Sequence, residues 1–121
     1  MKRDMDLVRE ILLKVEGNTE AFGMDSVEIE ARSQQEIGYH IKIMVEAGLL
    51  EAGDRTHMGA DAMLWHSVSL TWRGHEFLDA ARDNTRWNGA KKLVAEKGVA
   101  VSFDVLKDVL AFLAKQTLGL P

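Results

Sequence analysis

Ser33-Gln34-Gln35-Glu36-Ile37-Gly38-Tyr39-His40-Ile41-Lys42-Ile43-Met44-Val45-Glu46-Ala47-Gly48-Leu49-Leu50 is the stretch on which the fold turns. Ser33 and Glu36 have the spacing of a capping box. The serine hydroxyl accepts from the Glu36 amide, and the Glu36 carboxylate reaches back to the Ser33 amide. Ile37, Ile41, Met44 and Val45 follow at three- and four-residue intervals, the period of a helix with one buried stripe. Tyr39, His40 and Lys42 lie beside that stripe. Gly48 stands where a helix stops in the left-handed conformation, and the leucine behind it folds back on the last turn.

Upstream, Met5, Val8, Ile11, Leu12 and Val15 predict a helix over residues 4–16, widened by Leu7 and stopped by Gly17-Asn18. Residues 25–31 alternate, with Val27 and Ile29 set against Ser26, Glu28 and Glu30, which predicts a short edge strand with one dry face. Downstream, strands over 49–53 and 62–70 enclose the polar tip Gly53 to Asp61, the pattern of a hairpin with a long turn. Leu64, Val68 and Leu70 are expected inward, with Trp65 on the other face or over a neighbouring helix. Thr71 caps the next helix, whose apolar side is Trp72, His75, Phe77, Leu78 and Ala81. A break near Asp83-Asn84 leads to a helix with Trp87, Ala90, Leu93 and Val94, ending at Gly98. Ser102 caps the last helix. The expected fold is mainly helical α+β: a winged-helix-like domain with a small antiparallel sheet and additional C-terminal helices. One domain over 1–121 is expected, with helix, strand, helix and wing in 1–71 and C-terminal helices in 72–121.

Hydrophobic residues at 46% and charged residues at 28% suit a soluble globular protein. The chain has no cysteine, which excludes disulfides, thiolate chemistry and cysteine-ligated zinc. The start Met1-Lys2-Arg3-Asp4-Met5-Asp6 sets acids directly behind the basic pair and does not read as a signal peptide. No window approaches the roughly 20 apolar residues of a membrane span, so a cytoplasmic location is expected. The formal charge of -4 is unevenly spread. Residues 1–57 hold seven Lys/Arg against twelve Asp/Glu, a net of -5, and residues 58–121 hold eight against seven, a net of +1. The half that would meet nucleic acid is therefore the acidic half.

The helix ending in Glu46-Ala47-Gly48-Leu49 resembles the recognition-helix segment of bacterial winged-helix regulators. Val68 to Leu78 looks like their return from the wing into the following helix. The resemblance extends further. Met1 to Arg9, the Tyr39-His40 helix, Leu70-Thr71-Trp72-Arg73-Gly74-His75-Glu76-Phe77-Leu78-Asp79 and Arg82-Asp83-Asn84-Thr85-Arg86-Trp87-Asn88 together resemble a bacterial and prophage family, domain of unknown function 2513. This resemblance covers nearly the whole chain. It implies a single-domain bacterial or phage protein and carries over no ligand, partner or catalytic residue.

Little in the residues points to catalysis. His40, His57, His66 and His75 form no ligand-spaced pair. Glu28 and Glu30 share a strand face, but it is the wet one, without the pocket that paired carboxylates need. No phosphate-binding glycine loop and no nucleophile elbow occurs. A non-enzyme without metal or cofactor is expected.

Two functions remain. As a non-catalytic protein-binding module, the chain would use its apolar last helix, where Val105, Leu106, Val109, Leu110 and Leu113, with Phe112, cover more than half the circumference. The same strip would join two copies as a homodimer. As a sequence-specific DNA-binding regulator, it would use Arg32, Gln34, Gln35, Tyr39 and Lys42 around the recognition helix, and Arg55, Thr56 and His57 on the wing.

Overall fold

The computed structural model describes residues 1–121. The order of elements is α1 (Met5–Glu16), α2 (Gln34–Glu46), β1 (Leu50–Asp54), β2 (Trp65–Leu70), α3 (Trp72–Ala81), α4 (Asn84–Glu96) and α5 (Phe103–Thr117). The fold is mainly helical α+β, with one two-stranded antiparallel sheet and additional C-terminal helices in a winged-helix-like layout. The chain divides into two compact units, Met1–His75 and Glu76–Pro121, and the boundary falls inside α3.

In the first unit, α1 buries Leu7, Val8, Ile11, Leu12 and Val15, as its periodicity predicts. Asp4 is its N-cap, accepting from the amides of Asp6 and Leu7. In α2 the capping box between Ser33 and Glu36 forms in both directions. Its buried stripe is Ile37, Ile41 and Met44, joined by Gly38 and His40 rather than by Val45, which is only half-buried. Gly48 adopts φ +77, and the Leu49 amide donates back to the Met44 carbonyl at 2.9 Å.

The sheet departs from the sequence expectation. Residues 25–31 form no strand, and all that pairs is an isolated antiparallel bridge from Met24 to Val68. Ala31 turns the chain at φ +67, and beyond Met24 no neighbouring strand bonds the backbone of Ser26, Val27 and Glu28, so no ladder forms. In β2 the alternation breaks. Ser67 has φ +54, and the β1 register slips between Glu51 and Gly53. Val68 is buried and Trp65 packs on α2, donating its indole N–H to the Gly38 carbonyl at 3.0 Å. Residues 62–64 lie outside the strand.

Thr71 ties the sheet to α3. Its hydroxyl donates to the Gly48 carbonyl and accepts from the Gly74 amide, while its own amide donates to Leu49. A side-chain carbon at Gly74 would collide with the Leu49 carbonyl, so the glycine permits the close approach of α3 to Leu49. Trp72, expected on the apolar side of α3, is 81% exposed, and His75 is exposed beside it. The close seating of Gly74 turns those positions outward.

In the second unit, Asp83 caps α4 and Ser102 caps α5 through their side chains. Phe77 makes edge contact with Trp87 and a tilted contact with Phe103, at centroid distances of 6.3 and 4.6 Å. Trp87, Ala90, Val94, Leu106 and Leu110 are buried.

Candidate functional site

α2 and the hairpin between β1 and β2 hold the residues expected at a nucleic-acid surface. Gln34, Gln35 and Lys42 are exposed on α2, with Tyr39 half-buried. Lys42 lies over the Tyr39 ring, 5.9 Å from its centroid, and 3.5 Å from the Glu46 carboxylate one turn on. At the hairpin, Arg55 donates its Nε–H to the Trp65 carbonyl, and the Thr56 hydroxyl accepts from the Leu64 amide at 2.9 Å. The Thr56 amide donates to Asp54, whose carboxyl is thereby held below the usual range. His57 is exposed, and its Nδ1 lies 3.1 Å from the Met58 carbonyl. Gln34 and Arg55 line one narrow cleft with Asp25 and Trp65. A side-chain carbon at Gly38 would meet the Met63 carbonyl, so only glycine lets the base of the hairpin close on α2.

Arg32 does not face outward with this set. It lies 2.8 Å from Asp4, 3.4 Å from Glu10 and 3.6 Å from Glu36, with its side chain 21% exposed. Its removal from the expected DNA-contacting group has a plain electrostatic cause: the carboxylates of the α1 cap, of the second turn of α1 and of the first turn of α2 converge on one guanidinium. The hydrogen bond to Asp4 leads the causes that raise the Arg32 pKa. Burial pushes the Asp4 carboxyl up, but the Arg32 bond, the Leu7 amide, the Arg32 charge and the Asp6 amide together hold it below the usual carboxylate range. The Ser33 amide bond leads the causes that lower Glu36.

His40 completes this junction and is 1% exposed. Its Nε2 accepts from the Asp4 amide at 2.9 Å, which places the ring proton on Nδ1, 2.8 Å from the Glu36 carbonyl. A neutral imidazole thus pins the start of α1 to α2. Sequence reading set His40 merely beside the stripe and gave Asp4 no capping role. The Ser/Thr/Asp/Asn rule for helix caps could have found Asp4, whereas no sequence signal marks a partner 36 residues away.

The strip expected on α5 is divided. Leu106 and Leu110 are fully buried within the chain and are unavailable to a second molecule. Val105, Val109 and Leu113 are half-buried, and Phe112 is 54% exposed. Val105, Val109 and Phe112 follow at four and three residues and share the outer edge of the apolar arc. No three histidines or carboxylates gather in a group that could hold a metal ion, and no helix is long and apolar enough to cross a membrane.

A family model described as "Hypothetical protein (DUF2513)" matches residues 2–100. An uncharacterised protein of Haemophilus influenzae is 36% identical over 120 residues, covering 98% of this chain and 100% of that protein. No solved structure matches the chain.

Proposed function

The chain belongs to the DUF2513 family, and from the surfaces it carries we propose that it works as a non-catalytic protein-binding module on a winged-helix-like scaffold, cytoplasmic and paired as a homodimer. The observation that carries this reading is the engagement of Arg32 by Asp4, Glu10 and Glu36. With Lys42 also beside Glu46, Arg55 is left as the one cation of the expected DNA-contacting set without an acidic partner. Phosphate contacts supply much of the affinity of a DNA-binding protein, and lysine and arginine carry the long-range, salt-dependent part of it. The pairing of two copies uses the outer edge of α5, Val105, Val109 and Phe112, with Leu113 beside it.

A second reading, sequence-specific DNA binding, is favoured by the exposure of Gln34, Gln35 and Lys42 along one helix, with Arg55 and Gln34 at one cleft. A low-salt screen of genomic and prophage DNA fragments, run beside affinity capture from bacterial extract, separates the two. The first reading expects a purified protein that binds stoichiometrically and no fragment bound. A fragment held with a steep salt dependence, weakened in Lys42→Ala/Arg55→Ala, would replace it with the second.

A further inference from the structure

The segment following Met24 carries the pattern of a strand and lacks a strand's partner. At Met24 the ladder with Val68 is complete, with both backbone bonds at 2.9 Å. Beyond it exposure alternates: Ser26 out, Val27 buried, Glu28 out, Ile29 half-buried, Glu30 out. That is the period of an extended chain. Yet the backbone groups of Ser26, Val27 and Glu28 make no hydrogen bond within the chain. Beside them a shallow groove opens, bounded by Glu10, Leu13 and Lys14 of α1 and by Glu28, Ile29 and Glu30 of the segment. Its floor is apolar, from half-buried Leu13 and Ile29, and its rim holds three carboxylates to one ammonium.

We propose that this groove docks an extended basic segment of a partner protein, which adds a strand along Ser26–Glu30; the proposal rests on the protein-binding reading above. Unpaired backbone at a strand edge supplies the hydrogen bonds of strand addition, and side-chain pockets supply the selectivity. Charge selects the occupant. Glu10 already shares Arg32, but Glu28 and Glu30 make no ion pair. Nucleic acid and acidic peptides are repelled by that rim. A second copy would bring its own net -5 half against this one. Glu28 and Glu30 sit two residues apart on one face with Ile29 between them on the other. The matching strand therefore places lysine or arginine at alternate positions and an apolar side chain between.

An end-blocked, fluorescein-labelled peptide of alternating lysine and valine tests this by anisotropy titration. Peptides alternating glutamate with valine, and lysine with glycine, are the comparisons. The lysine–valine peptide is expected to bind the most tightly, with an affinity that falls as salt rises. Glu28→Lys/Glu30→Lys, checked for an unchanged circular dichroism spectrum, is expected to lose roughly tenfold or more. Hydrogen exchange in the complex is expected to slow at the amides of residues 26–30. Equal binding of the lysine–glycine peptide, undiminished binding by the double variant, or slowed exchange only on α2 or α5 would each overturn the proposal. So would a natural partner captured equally well by parent and double variant, an outcome that leaves the protein-binding reading standing.

Discussion

Arg32 shows how one side chain can be removed from a surface by its neighbours. A guanidinium offers five donors in a plane, and here Asp4, Glu10 and Glu36 approach it within 2.8–3.6 Å. Asp4 also caps α1 and lends its amide to His40, so one residue fastens two helices. Its lowered pKa has a definite sign. The stabilisation is fully present above the ordinary value of 3.8 and is lost as pH falls through the lower folded value. Asp4→Asn keeps a capping side chain but not the charge, so its melting temperature is expected to fall less steeply than the parent's below about pH 4. Thermal melts at stepped pH check this; parallel acid limbs would show that the Arg32 contact contributes nothing. His40→Leu removes the acceptor from the Asp4 amide and is expected to cost about 1–3 kcal/mol in urea unfolding.

At the level of elements, α2 is fixed at both ends and along one side. Ser33→Ala deletes half of the capping box and is expected to cost about 1 kcal/mol, read as a shift of the thermal midpoint. Gly38 presents a conflict between local and tertiary terms. Helix propensity favours Gly38→Ala by about 1 kcal/mol. The Met63 carbonyl occupies the space the new methyl needs, and the Trp65 indole bond to the Gly38 carbonyl depends on that approach. Strain of about 1–3 kcal/mol from overpacking outweighs the propensity gain, so net destabilisation with altered tryptophan fluorescence is expected. A stabilised variant would show that the hairpin yields at no cost. Residues 26–29 illustrate the opposite case, where a strand pattern is present and the hydrogen-bonding neighbour is not.

For the whole molecule, the expected outcome is a dimer of 13.5 kDa chains held through the second unit. Phe112→Glu places a charge on the outer edge of α5 and is expected to yield a folded single chain in sedimentation equilibrium at micromolar concentration. Leu106→Glu would instead bury a charge in the chain's own core and unfold it. A parent that sediments as one chain defeats the dimer. If Phe112→Glu remains paired, the contact lies elsewhere. The uneven charge, net -5 in residues 1–57, bears on partners at this scale. It sets the sign of the field a partner meets first and makes association salt-dependent.

The sequence alone determined the helices, the caps at Ser33 and Ser102 and the hairpin, because capping boxes, glycine stops and the 3.6-residue period are local and complete within a few residues. Ser33, Glu36, Gly48 and Ser102 all act over such distances. It also marked Val27 and Ile29 as an alternating segment but not whether a neighbour pairs with it, since a ladder needs a neighbouring strand at about 4.8 Å. Only the tertiary structure decided that Arg32 turns inward, that His40 accepts from Asp4, that Gly38 and Gly74 admit distant carbonyls, and that Leu106 and Leu110 are covered while Phe112 is not. Each is a contact between residues far apart in the chain, or the burial that such contacts produce. Periodicity specifies which face of an element is apolar, but what meets that face is set by packing.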